Sequence, residues 1–443
     1  MKIKKKKIII ITVLAIIVSI LVAAFILYWN NFRGIIPLIK KPSVNIAEVL
    51  PGSSKNITEL NGENIPGDNK DEVEMDKEDI DASDDRNSKD PENREDGSIL
   101  KLEKDFSITI FADDVPAARV LAVGPEGNLW VSQTGIGKVS RIIISDGIST
   151  GLDIIFDGLN NPHGIAFDPE DPYMLYIAEE DRVSRVRIEV EGFPEGALQK
   201  IIDLPEGGRH YTRTIGFAPD GRLYVSTGSS CNVCLEQDDR IAKILSFNKD
   251  GSTFKEFAGG LRNSVFFKWH PVTGQMWATE MGRDMLGDDL PPDEINIILE
   301  GRDYGWPYYY GKNIHDIDFD NSGEAEKRNQ AVEPSFIDIP AHSAPLGLEF
   351  IPPLDNWPEE YHFNLLVAFH GSWNRTVPTG YKIVRYDLDE KVNYNGAGDF
   401  ISGWLDESGT VLGRPVDIII SEDGIIYISD DRAGVIYRVE YLG

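Results

Sequence analysis

Cysteine is nearly missing from this chain: Cys231 and Cys234 are the two among 443 residues. Two cysteines build neither a disulfide-stapled scaffold nor a complete thiolate zinc site. Basic charge is also short, with 44 Lys and Arg against 73 Asp and Glu and a formal net charge of −29. Gripping a nucleic-acid backbone requires a basic footprint, so no nucleic-acid partner is expected.

The charge is unevenly spread. Residues 1–58 are net basic, residues 59–96 are strongly acidic, and the rest of the chain carries most of the remaining negative charge. A lysine-rich tail, residues 1–7, precedes the uncharged run Ile8–Trp29, IIIITVLAIIVSILVAAFILYW. A helix of that length spans the hydrocarbon core, and the flanking lysines stay on the cytoplasmic side. The run is longer than the apolar region of a cleaved secretory signal and ends in Tyr28-Trp29, which suit the membrane interface. It predicts a single-pass cell-membrane anchor, with a cleaved secretory signal as the alternative; both place the carboxyl-terminal bulk outside the cytoplasm. Residues 30–98 are rich in Pro, Asp, Glu, Asn and Ser with no sustained apolar periodicity, and predict a disordered acidic linker.

Residues 99–443 repeat one pattern: an apolar strand, a turn of the Pro-Asp-Gly kind, and a strand of Tyr or Trp plus small residues. Copies read VGPEGNLWVS from Val123, IAFDPEDPYMLYIAEE from Ile165, IGFAPDGRLYVSTGSS from Ile215 and FKWHPVTGQMWATEMG from Phe267. Two more start at Leu348 and Ile418. Pro at the second turn position and Gly or Asn at a left-handed one are what tight strand connections require. Six copies predict an all-β, six-bladed propeller. The segment FSITIF, Phe106–Phe111, precedes the first full copy and is expected to close the ring against the strand ending at Tyr441.

Propeller function resides in the loops around the axis, so polar residues at blade entrances are the candidates. His210, in GGRHYTRTIGFAPDG, has a reference pKa near operating pH and suits a general base; it also fits an ordinary loop histidine. Arg262-Asn263, in GGLRNSVFF, Arg375, in HGSWNRT, and Arg414, in GRPVDI, stand at corresponding entrances. Cations recurring there in so acidic a domain suit a polycarboxylate ligand. Asp293, Glu294 and the turn around Tyr304, in PPDEINIILEGRDYGWP, offer oxygen donors for a hard cation, or form an exposed acidic loop.

The set His210-x6-FAPDGRLY, LRN, DEIN…YGWP, HGSWNR and GRPVDI resembles the soluble quinoprotein glucose/sorbosone dehydrogenase family over residues 103–442, and GSSCNVC points to its sorbosone-dehydrogenase-like branch. The resemblance implies an enzyme that oxidises an aldose or related sugar with pyrroloquinoline quinone (PQQ) and Ca²⁺. His210 matches the base that takes the hydroxyl proton as hydride passes to the quinone. Arg262 and Asn263 match residues beside the quinone oxygens, Arg414 an arginine on the cofactor carboxylates, and Arg375, more loosely, a cation there. The carbonyls of Gly282 and Arg283 match those that hold the cofactor-bound Ca²⁺. Asp293, Glu294 and the Tyr304 carbonyl match a second calcium site. An electron acceptor, which the sequence does not identify, is also implied.

Two positions depart from the family pattern. Ser229 stands where a carboxylate supports the base, a role left to Asp238 or Asp239, and Val416 stands where a second carboxylate-binding arginine is expected. His163, in NPHGIAF, and His342, in AHSAPLG, are expected at the substrate rim or in packing. Cys231-x-x-Cys234 lacks the βαβ setting of a thioredoxin motif and, outside the cytoplasm, suits a local disulfide. A calcium-dependent propeller lactonase and a non-catalytic extracellular ligand-binding propeller are the alternative functions.

Overall fold

A computed structural model describes residues 100–145, 147–327 and 331–443. The expected tail, membrane span and linker lie outside these residues. Among the described residues no helix is long and apolar enough to cross a membrane.

Six antiparallel sheets follow one another around an axis. Blade 1 has inner strand Ala118–Val123 and continues through Leu129–Gln133, Lys138–Ser145 and Ile148–Phe156. Blades 2 and 3 start at Ile165–Asp168 and Ile215–Phe217; blade 2 ends at Gln199–Asp203, and blade 3 runs to Lys255–Gly259 and gains Arg302–Asp303 as a short parallel edge strand. Blade 4 starts at Phe267–Trp269, and its outer strand, Ile337–Ile339, comes after a long insertion that includes the hairpin Tyr309–Tyr310 and Ile314–His315. Blade 5 starts at Pro345–Phe350, ends at Tyr394–Ser402, and gains Lys101–Leu102 as an extra edge strand. Blade 6 consists of Pro415–Ile420, Ile426–Asp430 and Val435–Tyr441, completed by Phe106–Ala112 from the other end of the propeller. That last pairing, with Phe106 opposite Tyr441, closes the ring as the sequence predicts.

The repeat signature has a packing cause. In blades 1 to 4 the aromatic of the second strand turns toward the next blade and meets an inner-strand ring edge-on: Trp130 on Phe167 at 5.5 Å, Tyr176 on Phe217 at 5.0 Å, Tyr224 on Trp269 at 5.6 Å and Trp277 on Phe350 at 5.5 Å. Alternate residues of the same strand face the preceding blade, so Leu223 and Val225 pack with Tyr176 while Tyr224 packs with Phe267. The small polar residue after the aromatic bonds the backbone near the axis. Thr279 Oγ1 donates to Leu346 O of blade 5 at 2.8 Å, and Ser429 Oγ donates to Arg119 O of blade 1 at 2.5 Å. Each blade is therefore held on both faces by its neighbours.

Register places the functional loops. Inner-strand starts pair with second-strand ends, as in Ala118 with Gln133, Pro345 with Phe369 and Pro415 with Asp430. Loops entering the inner strands and loops leaving the second strands thus emerge together at one end of the ring.

Phe106 lies at the closure seam, with ring contacts to Trp357, Tyr361, Phe400 and Tyr441 at 4.9–5.5 Å. Phe106→Ala empties this cluster and is expected to cost about 3–5 kcal/mol of stability in denaturant unfolding. An unchanged midpoint would show that the seam contributes little.

Candidate active site

Loops of blades 3, 4 and 5 enclose a polar cavity of about 190 Å³, lined among others by Arg209, His210, Arg262, Asn263, Trp373 and Asn374. His210 lies in the loop entering blade 3. Its Nδ1 is 2.9 Å from Ser229 O and 2.8 Å from Ser229 Oγ, and that hydroxyl donates to Cys231 O at 2.7 Å. A carbonyl only accepts, so Nδ1 carries the proton and Nε2 keeps its lone pair. Burial, followed by the nearby Arg262 charge, lowers the imidazole pKa well below 6.5. His210 is therefore neutral at pH 7 with an available basic nitrogen.

Ser229 takes the orienting place through its carbonyl and hydroxyl. Asp238, one of the two carboxylates that the sequence offers for that role, pairs instead with Arg240, with contacts at 3.0 and 2.7 Å. Gly228 lets His210 and Asn263 approach: a Cβ there would sit 2.5 Å from His210 Cβ and 2.7 Å from Asn263 Oδ1.

Arg262 is buried, 4% exposed. Nε donates to Asn232 O at 2.9 Å, Nη2 to Asn232 Oδ1 at 2.9 Å, and Nη1 to Gly282 O at 2.9 Å. Asp284 Oδ2 lies 3.3 Å from Nη2, and Asp284 Oδ1 accepts Asn374 Nδ2 at 2.9 Å. Loops from blades 3 and 4 are thereby joined through one guanidinium, and Asp284 extends the connection to blade 5.

The other two arginines do not line this cavity. Arg375 donates to Asp288 O at 2.6 Å, Ala341 O at 3.1 Å and Asp289 Oδ1 at 2.8 Å, tying its loop to the one after the second strand of blade 4. Arg414 donates to Gly371 O at 3.1 Å and faces His370 Nδ1 at 3.3 Å, while His370 Nε2 meets Asp431 at 3.0 Å. HGSWNR and GRPVDI are thus braced against each other. Val416 is fully buried in the core. Arg209 is the charged group that sequence reasoning passed over: it lines the cavity and has no side-chain partner among the described residues. Trp373, 55% exposed, brings an indole to the same wall, and Asn374 Oδ1 is buried without a partner among the described residues.

His342 lines the cavity and donates through Nε2 to Gly287 O at 2.8 Å. His163 lies in the interior, fully buried, near Thr214 Oγ1 at 3.2 Å and edge-on to Phe266. Asp293 and Glu294 are consecutive in one strand and line different cavities. Asp293 caps the Gly282 and Ala344 amides at 2.9 Å each. Glu294 faces a smaller cavity of about 30 Å³ together with Glu280, Tyr304, Gly282, Arg283 and Asp316. The Arg283 side chain forms a two-point pair with Asp316, at 2.5 and 2.9 Å. Burial raises Glu280 to about 8 and Glu294 to about 7, and carboxylates near each of them add to the rise. Cys231 and Cys234 form a disulfide.

Residues 173–438 match the sequence profile of the family described as Glucose / Sorbosone dehydrogenase. The chain belongs to this family. A Borreliella burgdorferi protein described as uncharacterized is 34% identical over 362 residues, covering 78% of this chain and 91% of its own. Quinoprotein glucose dehydrogenase B of Acinetobacter calcoaceticus is 22% identical over 308 residues, 57% of this chain and 64% of its own. The holo PQQ domain of pyranose dehydrogenase from Coprinopsis cinerea superposes with a TM-score of 0.66 at 21% identity, over 77% of this chain and 97% of that one. PQQ-bound aldose sugar dehydrogenase from Streptomyces coelicolor gives 0.55 at 19% identity, over 77% and 99%. Both structures share the propeller fold.

Glu280 gives this family member a pH signature. An ordinary glutamate ionises near 4.5, and Glu280 in the fold near 8. The folded chain binds the extra proton between those values, so this group's contribution to stability falls as pH rises through that window. In chelator, Glu280→Gln should therefore gain stability relative to wild type between pH 5 and pH 9. A pH-independent difference in unfolding free energy would contradict the assignment.

Proposed function

We propose that this propeller is a PQQ-dependent sugar dehydrogenase, with His210 as general base and Arg262 and Asn263 beside the reacting centre. The carrying observation is the His210 tautomer: Nδ1–H is fixed on Ser229, which leaves a neutral Nε2 in a cavity that Arg262 and Asn263 also line.

The lining fits the cofactor. Trp373 offers a flat face for a planar ring system, Arg209 an uncommitted cation for a carboxylate, and Asn374 Oδ1 an unused acceptor. When bound, PQQ supplies the quinone carbon that accepts a hydride. His210 Nε2 takes the proton of the sugar hydroxyl as that hydride leaves. Arg262, anchored on five acceptor groups, presents a fixed positive charge next to the site without reorganising.

The smaller cavity fits a calcium ion. Glu280 and Glu294 face it, and a cation between them would relieve the burial cost of both carboxylates. Gly282 O, the carbonyl matched to the cofactor-bound ion, is engaged by Arg262 at 2.9 Å, so an ion there would share this oxygen with the guanidinium. Among the described residues the one cluster of three ligand side chains is Cys231, Cys234 and Glu236, and its sulfurs are bonded to each other. We further read Ile8–Trp29 as a membrane anchor that displays the domain outside the cytoplasm, where a disulfide persists. The electrons then leave to an external acceptor.

The test is dye reduction by the full-length chain with PQQ, Ca²⁺ and a panel of aldoses and sorbosone. His210→Ala should lower kcat about 10²- to 10⁴-fold. The base must be neutral and its pKa is depressed, so kcat/KM should hold through pH 6.5 and fall only in more acidic solution. Full activity in the alanine variant would refute the assignment, as would an acid limb centred above pH 6.5.

A further inference from the structure

The loop that leaves the second strand of blade 3 touches both functional side chains within four residues. Ser229 holds His210 Nδ1 through its carbonyl and hydroxyl, and the hydroxyl is itself directed by Cys231 O. Asn232 accepts Arg262 through its backbone carbonyl and its side-chain oxygen. That side-chain oxygen also accepts the Asp284 amide at 2.9 Å, and Asn232 Nδ2 donates to Asp284 O at 3.1 Å. The loop has no regular secondary structure, and the covalent link across it is the Cys231–Cys234 bridge, with Cα atoms 6.2 Å apart. Both cysteines are partly exposed. Glu236 ties the loop's other flank, accepting from Ser230 N at 2.8 Å and Ser230 Oγ at 2.7 Å.

A bridge of this span stiffens little chain, so its contribution to global stability is small. What it constrains is the position of Cys231 O and Asn232. Where a carboxylate would fix a base by charge and geometry together, Ser229 supplies geometry alone, and that geometry depends on the loop staying closed.

We propose that the Cys231–Cys234 loop is a redox-sensitive positioning element, with Asn232 as the residue that sets Arg262 and Ser229 as the one that sets His210. With the bridge closed, the base tautomer and the guanidinium orientation are fixed. An external dithiol opens it in two exchanges. The first thiolate attacks one bridge sulfur and expels the other, and the second thiol then closes the reductant's own disulfide. Cys231 and Cys234 end as thiols, having gained two electrons and two protons, and the dithiol is oxidised. The loop then relaxes, and the site loses its fixed geometry while the propeller stays folded. The catalytic consequence rests on His210 acting as the base; the positioning itself does not.

The experiment uses the full-length chain labelled with [15N]histidine, before and after dithiothreitol, with reduction confirmed by two free thiols. Without cofactor, His210 in the oxidised chain should show the single Nδ1–H tautomer. On reduction it should move to a tautomer mixture, with circular dichroism unchanged. With PQQ, Ca²⁺ and sugar, reduction should lower kcat about ten- to a hundredfold with little change in KM. Cys231→Ser/Cys234→Ser should reproduce both effects. Asn232→Ala should lower kcat similarly, and Asn232→Asp, which keeps the acceptor oxygen, should restore most of it. An unchanged His210 tautomer and unchanged kcat after complete reduction would overturn the proposal. If the serine variant does not fold, reduced wild type decides the question by the same two readouts. If no form turns over sugar, the dehydrogenase reading fails, and the nitrogen spectrum still decides whether the loop positions His210.

Discussion

A guanidinium taken out of water must have its donors answered by protein, or the fold loses several kcal/mol. Arg262 meets this demand by drawing in acceptors from the loop after blade 3's second strand and from the loop after blade 4's. Asp284 carries the connection on to Asn374 of blade 5. Three loops that share no local sequence are thereby held in one arrangement, and the cavity is the space they leave. The geometry of His210 follows from the same arrangement, because the segment that accepts Arg262 through Asn232 begins at Ser229.

Two kinds of rigidity meet here. The blades interlock through edge-on aromatics and near-axis hydroxyl bonds, which set the ring and its closure. The loops at one end are fixed by polar contacts, many of them to backbone carbonyls. Such contacts orient without adding negative charge beside the base. Through Ser229 the imidazole gains a fixed tautomer, and burial keeps its proton affinity low. The carboxylates near the site are both capped by amides and raised by burial: Asp293 accepts from Gly282 and Ala344, and Glu280 accepts from Asn263.

The fold was legible in the sequence because its signals are local. An aromatic followed by small residues, with a Pro-Asp-Gly turn before it, repeats in plain view, and FSITIF has the alternation of the missing strand. His210, Arg262 and Asn263 were legible as polar residues at blade entrances, and the structure brings them to one cavity. Arg375 and Arg414 satisfied the same rule, yet their chemistry is spent on bracing loops, since an entrance position does not reveal which acceptors neighbouring blades supply. Trp373, Asn374 and Asn232 were not legible as site residues for the converse reason. Each becomes functional through its distance to a residue from another loop. Arg209, next to His210 in GGRHYT, was open to detection as a charge adjoining a candidate base.

The central claim is that the cavity bounded by His210, Arg262 and Trp373 receives a planar, anionic quinone. Tryptophan fluorescence of the full-length chain titrated with PQQ in the presence of Ca²⁺ tests it most directly. The account predicts saturable, one-to-one quenching, with a component that disappears in Trp373→Phe. Absence of saturable quenching, or the same quenching in wild type and Trp373→Phe, would contradict it.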